Sequence, residues 1–249
     1  MAESATTLSL ADVTRKIIFA LDVPNLMEAR RFVKLLKDKV GFFKIGLELY
    51  TAYGPEALKV VQAEGGKVFL DLKFHDIPQT VSRAAAEAVK HGVAMLNVHA
   101  AGGWEMMHKT VESCQQIAQE LHCAPPLILG VTILTSLDEG NLSQIGLIGP
   151  LKERVVRLAE LAQTAGLHGV IASPQEISAI RQKCGPAFFI VTPGIRPAFS
   201  QVEKDDQKRM MTPKEAMAAG ADYIVLGRPI RMAPDPVAAM EKVIAEITS

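Results

Sequence analysis

The sequence has few cysteines, few aromatic residues, no excess charge of either sign and no long apolar run. Its three cysteines, Cys114, Cys123 and Cys184, form no CxxC pair and are too few to cross-link 249 residues, which favours a reducing compartment. The 27 basic and 27 acidic side chains balance, so net charge attracts neither nucleic acid nor an anionic membrane. No apolar stretch approaches the roughly 18 residues of a membrane span. We therefore expect a cytoplasmic protein with no nucleic-acid or membrane partner.

The beginning of the chain lacks the basic start and apolar run of a secretory signal. We expect residues 1–15 to be a polar tail and residues 16–249 to be one domain, because no linker-like stretch or change of composition divides them. Hydrophobic residues make up 49% of the chain and charged residues 22%. That composition is typical of a well-packed globular protein and excludes extensive disorder.

Short apolar runs alternate with amphipathic segments along the whole chain. The runs predict strands at 17–21, 42–46, 67–72, 94–98, 127–133, 169–172, 188–192 and 223–226. The segments predict helices at 25–38, 55–64, 79–91, 103–120, 151–165, 175–183, 213–219 and 235–247. Eight such units in about 250 residues predict an α/β fold, a single (β/α)₈ TIM barrel. A doubly wound open sheet is the alternative, but no GxGxxG follows the first strand.

Charged residues lie at several predicted strand ends, where barrel enzymes carry their catalytic groups. Asp71 and Lys73 are two residues apart, so on a regular strand both side chains face the barrel mouth. Lys44, on the neighbouring strand, would complete an alternating charge cluster. The cluster could be a structural ion-pair network, but buried charges contribute little stability. We therefore favour a functional cluster.

Two further features lie in the loops after the predicted seventh and eighth strands, where barrels commonly bind phosphate. Gly194 and Gly227 allow backbone N–H groups to approach an anion, and Arg228 can donate a charge-assisted hydrogen bond. The long polar stretch 195–210, which contains Gln207, is either a lid over a ligand or a surface loop. His75 and His99 belong to no recognisable metal-binding spacing, so we expect no metal site.

The run 69–78, FLDLKFHDIP, resembles the DxKxxDI signature of the orotidine 5′-phosphate decarboxylase family, and the length resembles its free-standing bacterial members. The similarity extends over nearly the whole chain in ALD at 20–22, FKIGLELY at 43–50, NVHA at 97–100, VTILTS at 131–136, TPGIRP at 192–197, Asp206-Gln207 and GRPI at 227–230. The resemblance implies decarboxylation of orotidine 5′-monophosphate to uridine 5′-monophosphate (UMP) and CO₂, the last step of de novo UMP biosynthesis. It also implies a TIM-barrel homodimer that uses no metal or organic cofactor.

The resemblance also implies roles for individual residues. Lys73 matches the proton donor to C6 of the pyrimidine, within a catalytic tetrad that comprises Lys44, Asp71, Lys73 and Asp76. Asp76 and Thr80 match residues that are shared across the dimer interface. The matched substrate-binding positions are Asp22, Lys44, Asp71, Thr80, Thr135, Arg196, Gln207, Gly227 and Arg228.

Two alternatives remain. Related barrels include magnesium-dependent sugar-phosphate decarboxylases and synthases, which place an acidic metal ligand on the second strand. Lys44 stands at that position here and would repel Mg²⁺. The other alternative is a catalytically silent nucleotide-binding barrel, against which the intact Asp71 and Lys73 pair argues.

Overall fold

The protein folds as a closed barrel of parallel strands. The computed structural model describes residues 9–200 and 210–249. The strands of this part of the chain are β1 (Ile17–Ala20), β2 (Phe42–Ile45), β3 (Val68–Phe74), β4 (Met95–His99), β5 (Leu127–Val131), β6 (Gly169–Ile171), β7 (Phe189–Thr192) and β8 (Tyr223–Leu226). Each strand pairs with its neighbours in chain order, and β8 closes the barrel on β1. The predicted (β/α)₈ barrel is confirmed.

Helices cover the outside of the barrel. In the described residues they are α1 (Leu10–Arg15), α2 (Leu26–Leu36), α3 (Leu47–Tyr53), α4 (Glu56–Ala63), α5 (Pro78–Lys90), α6 (Gly103–Glu120), α7 (Glu139–Gln144), α8 (Leu151–Thr164), α9 (Ile177–Cys184), α10 (Pro213–Ala218), α11 (Arg228–Arg231) and α12 (Pro236–Thr248). Side chains cap the first turns of two of these helices. Asn25 caps α2 by accepting from the Glu28 N–H, and Thr212 forms a reciprocal capping box with Glu215 at α10. Within this described part, no helix has the length and apolar character needed to cross a membrane.

The barrel interior is filled in layers by alternate residues of each strand. An apolar layer of Ile18, Phe42, Phe69, Met95, Leu129 and Val191 blocks the centre of the barrel. Two residues further along β2, β3 and β4, the same inward direction is occupied by Lys44, Asp71 and Asn97. The polar residues therefore form the next layer towards the carboxyl ends of the strands, where barrel enzymes have their active sites.

The structure corrects the expected start of the barrel. Residues 10–15, which we assigned to a polar tail, form helix α1. Ser9 caps this helix by accepting from the Asp12 N–H, and the Val13 side chain is completely buried in the core. A single apolar residue on a short polar helix leaves too weak a periodicity to be read from the sequence. The sequence prediction also missed the helices α3, α7 and α11, because their 7, 6 and 4 residues are too few to show a helical periodicity.

If α1 belongs to the folded core, Val13→Ala will destabilise the protein by about 2 kcal/mol, because it removes buried methyl groups. The matched control is Leu10→Ala, which truncates an exposed side chain of the same helix. We expect urea denaturation to show a lower midpoint for Val13→Ala and little change for Leu10→Ala. Equal midpoints for both variants would show that α1 does not contribute to the core.

Candidate active site

A cavity of about 300 Å³ opens at the carboxyl ends of the strands. Its lining includes residues from β1, β2, β3, β5, β6 and β8 and from the loops that follow the strands. Eight of the predicted site residues line it: Asp22, Lys44, Asp71, Lys73, Thr135, Arg196, Gly227 and Arg228. Residues spread over more than 200 positions of the sequence thus surround one space. The fold places them together, and their roles in binding or catalysis stay predictions.

Four of these side chains form a row of alternating charge. Lys44 Nζ lies 3.2 Å from Asp22 Oδ1 and 3.1 Å from Asp71 Oδ2, and Lys73 Nζ lies 2.7 Å from Asp71 Oδ1. Side-chain exposure is 50% for Asp22, 13% for Lys44, 10% for Asp71 and 30% for Lys73. The two central groups are therefore the buried ones, whereas the Lys73 side chain is partly exposed and lines the cavity.

The charges at the centre of the row stabilise one another's ionised forms. Burial alone would lower the pKa of Lys44, but the Asp71 and Asp22 carboxylates outweigh it and hold that pKa above its ordinary value. Burial would likewise raise the pKa of Asp71, but Lys44, Lys73 and the hydrogen-bonding Asn97 amide together hold it below the ordinary range. The two buried groups of the row, Lys44 and Asp71, are therefore both charged at neutral pH.

The backbone of Lys73 has an unusual conformation. Its φ angle is +52°, in the left-handed region that non-glycine residues seldom occupy. The β3–β4 pairing is irregular between Leu70 and Phe74, which is the segment that contains Lys73. We expected regular alternation to bring Asp71 and Lys73 together, and that reason was wrong. The contact forms through a distorted strand end, at a cost of order 1–3 kcal/mol in backbone conformation.

The loops after β7 and β8 form another side of the cavity. Gly194 has a φ of +78°, which glycine adopts without strain. The chain then pairs with the segment before α10, since the Arg196 N–H donates to the Met211 carbonyl at 2.9 Å. After β8, Gly227 precedes the short helix α11, which begins at Arg228. Two arginines and two glycines thus line the side of the cavity where barrels commonly bind phosphate.

Two of the described site residues, Asp76 and Thr80, are not part of the cavity lining. Asp76 and Thr80 lie on the exposed surface before and within α5, and Asp76 Oδ1 accepts from the N–H of Ile77 at 2.6 Å. Gln207, which we expected in a lid, lies outside the described residues. The assignment of Asp76 and Thr80 to a neighbouring subunit's site stays a prediction.

The histidines stand beside the charged row. The rings of His75 and His99 are 5.1 Å apart, centroid to centroid. Burial, with the nearby His75 and Lys73, lowers the pKa of His99 against the opposing effect of Asp71. In the described part of the chain, no group of three or more His, Cys, Asp or Glu side chains is arranged to hold a metal ion.

Asn97 is a polar residue of the site for which the sequence pattern predicts no role. Asn97 is completely buried in the layer below the cavity and hydrogen-bonds both Asp71 and the backbone of Lys73. The available signal was a polar residue at an inward position of an otherwise apolar strand, two residues after Met95. No role can be predicted from this signal alone, because the sequence does not show which groups a single asparagine contacts.

The fold and the site define a (β/α)₈-barrel enzyme with its charged groups at the mouth of the barrel. A model of the orotidine 5′-phosphate decarboxylase / HUMPS family matches residues 15–243. An orotidine 5′-phosphate decarboxylase of Pelobacter propionicus is 52% identical over 238 residues, which cover 96% of this chain and 97% of the relative. One of Moorella thermoacetica is 53% identical over 233 residues, covering 93% of this chain and 92% of the relative.

Solved structures agree with the sequence comparison. The crystal structure of orotidine 5′-phosphate decarboxylase from Lactobacillus acidophilus matches with a TM-score of 0.82 and 36% identity. That match covers 94% of this chain and 100% of the Lactobacillus acidophilus chain. The chain belongs to the orotidine 5′-phosphate decarboxylase family.

The buried Asp71 carboxylate generates a testable pH dependence of stability. Its pKa is lower in the folded protein than the ordinary value near 4, so its contribution is complete above about pH 4 and is lost as the pH falls through the folded-state pKa. We expect Asp71→Asn to lose roughly 3–5 kcal/mol of unfolding free energy at pH 7, because the buried Lys44 and the half-buried Lys73 lose their shared partner. The difference in unfolding free energy between wild type and Asp71→Asn should narrow below about pH 4.

Urea denaturation at a series of pH values from neutral to acid measures this difference. The matched control is Asp38→Asn, which removes a carboxyl on the protein surface. A difference between wild type and Asp71→Asn that stays constant down to low pH would contradict the assignment of a depressed pKa to Asp71.

Proposed function

We propose that this protein converts orotidine 5′-monophosphate to UMP and CO₂, the last step of de novo UMP biosynthesis. The observation that carries the proposal is the position of Lys73, whose ammonium group lies 2.7 Å from Asp71 and whose partly exposed side chain lines the cavity. Family membership supports the same substrate. The low cysteine content supports a cytoplasmic location.

The reaction needs a cation beside C6 of the pyrimidine. When the bond between C6 and the carboxylate breaks, its electron pair stays on C6 in the plane of the ring, where the π-system does not delocalise it. The Lys73 ammonium stabilises this charge and then donates its proton to C6, which yields UMP and leaves a neutral amine that regains a proton from water. Every electron pair is accounted for without a redox partner.

Asp71 and Lys44 set the conditions for that transfer. The Asp71 carboxylate holds the Lys73 ammonium group at 2.7 Å and restricts its position, and Lys44 neutralises the second oxygen of Asp71. Asp71 also lines the cavity, so its charge repels the substrate carboxylate until CO₂ leaves. Relief of this repulsion favours bond breaking.

The remaining cavity residues would bind the rest of the nucleotide. Arg228, Arg196 and the backbone around Gly194 and Gly227 are suited to the phosphate. Asp22 would accept from ribose hydroxyls and Thr135 would contact the pyrimidine, while Gln207 would close over the ligand. Binding energy from the phosphate, remote from C6, would help to hold the closed site.

We further propose that the enzyme is a homodimer in which Asp76 and Thr80 complete the site of the neighbouring subunit. Both residues are exposed at the same end of the barrel as the cavity, and neither lines their own subunit's cavity. The large apolar side chain of Ile77, next to Asp76, is also exposed. A second subunit that covers this apolar surface would bring the carboxylate of Asp76 to its own charged row.

A magnesium-dependent sugar-phosphate reaction is less well supported by the same geometry. The Lys44 ammonium group lies between the Asp22 and Asp71 carboxylates, at 3.2 and 3.1 Å. It therefore occupies the position where those carboxylates would otherwise attract a cation.

The first test is the ultraviolet absorbance change of orotidine 5′-monophosphate with purified protein in excess EDTA, with UMP identified as the product. We expect complete conversion by wild type. We expect Lys73→Ala to lose at least about 10²–10⁴-fold in kcat, the usual contribution of a proton donor, while it retains measurable UMP binding. Lys90→Ala, which removes an exposed lysine of α5, is the control.

Folded, dimeric wild type that binds the nucleotide without converting it would indicate a silent binding barrel. Conversion of sugar phosphates only after addition of magnesium would indicate the other branch of the family. Substantial turnover by Lys73→Ala would remove that residue from the proposed role.

Shared sites can be tested by mixing variants. Lys73→Ala and Asp76→Ala should each be nearly inactive alone. After subunit exchange, half of the dimers are mixed and each has one intact site, so about one quarter of wild-type activity should return. The control pair is Lys73→Ala with Asp71→Ala. Each of these variants damages the site of its own subunit, so a mixed dimer has no intact site and activity should not return. If exchange is demonstrated by mass-tagged subunits and the first pair stays inactive, the sites are not shared.

A further inference from the structure

We propose that Asn97 is a positioning residue that sets the location of the Lys73 ammonium group and the orientation of the Asp71 carboxylate. This inference rests on the proposed decarboxylase function and adds a residue to its machinery. Asn97 lies in β4, is completely buried and is not part of the cavity lining. It would therefore act on the substrate only through its two neighbours on β3.

The Asn97 side chain makes two short hydrogen bonds of opposite sense. Its Oδ1 accepts from the backbone N–H of Lys73 at 2.8 Å, and its Nδ2 donates to Asp71 Oδ1 at 2.7 Å. A backbone N–H can only donate and a carboxylate can only accept, so these two partners determine which way the amide is turned. The carboxamide satisfies both partners without adding charge.

The hydrogen bond from the Lys73 N–H to Asn97 takes the place of a hydrogen bond between strands. The regular register between β3 and β4 is lost between Leu70 and Phe74, and Lys73 adopts its left-handed conformation within that gap. Without Asn97, the Lys73 N–H would lack this partner in a partly buried position. The bond from Asn97 therefore stabilises the conformation that directs the lysine side chain into the mouth of the barrel.

The second bond restricts the rotation of the carboxylate. Asp71 Oδ1 accepts from both Lys73 Nζ and Asn97 Nδ2, while Oδ2 contacts Lys44. With Asn97 removed, the carboxylate can turn towards Lys44 and draw the Lys73 ammonium away from its present position. A displacement of about 1 Å at a reacting group costs on the order of 10²-fold in rate.

Two substitutions of Asn97 test the proposal in steady-state assays of the purified enzyme. We expect Asn97→Ala to lower kcat by about 10²-fold and to leave KM and the UMP dissociation constant within about threefold. Thr110→Val is the matched control, because it removes another buried side-chain hydrogen bond, made to the Met106 carbonyl within α6. Thr110→Val should lower thermal stability and leave kcat unchanged.

Asn97→Asp gives a pH signature that a purely structural role would not produce. The new carboxyl would be buried beside the Asp71 carboxylate, which raises its pKa, although the Lys73 ammonium opposes this. When protonated, it can donate to Asp71 and accept from the Lys73 N–H, as the amide does. The ratio of the kcat of Asn97→Asp to that of wild type should therefore rise as the pH falls. The corresponding ratio for Asn97→Ala should not change with pH.

The outcomes separate this inference from the proposed function. Absence of turnover by wild type would defeat the function itself. Active wild type with an unimpaired Asn97→Ala variant, or with one whose UMP binding is lost as severely as its kcat, would overturn the positioning role. If Asn97→Ala does not fold, the pH dependence of the Asn97→Asp ratio decides, and a flat ratio overturns the proposal.

Discussion

The site depends on one buried carboxylate. Asp71 contacts the ammonium groups of Lys44 and Lys73 through its two oxygens and accepts a further bond from Asn97. Removing charges from water is costly, and apolar residues of similar volume often serve stability equally well. The row of charges is therefore not explained by stability. It is explained by the ammonium group that the row holds at the edge of the cavity.

Strand pairing and this charge network are in competition at the end of β3. A regular strand would keep its ladder to β4, whereas the Asp71–Lys73 contact coincides with a broken register and a left-handed residue. Asn97 compensates locally by bonding the freed N–H. Strain of this kind persists only where the surroundings over-determine it, and it is concentrated at functional positions.

Much of the fold could be predicted because barrel strands are short, buried and regularly spaced. The apolar runs at 17–21 and 223–226, for example, correspond to β1 and β8, which close the barrel. The charged residues at strand ends were also found, because a charge after an apolar run is conspicuous. Helix α1 was missed because one buried residue, Val13, carries its packing.

The remaining features depend on contacts that a linear pattern does not contain. The role we infer for Asn97 comes from two partners that lie 24 and 26 residues before it. The conformation of Lys73 could not be predicted, since alternation alone indicated an ordinary strand. The sharing of Asp76 and Thr80 concerns a second subunit, so neither the sequence pattern nor one folded chain tests it.

The geometry also distinguishes the two lysines. Lys44 lies between two carboxylates, and its pKa is raised, so its proton is held more firmly than that of an ordinary lysine. Lys73 contacts one carboxylate within the described part of the chain and is the more exposed of the two. A proton donor must release its proton to the reacting atom, whereas a structural counter-ion must not. The row is thus asymmetric in the direction that the proposed chemistry requires, in which Lys44 would be the fixed counter-ion and Lys73 the donor.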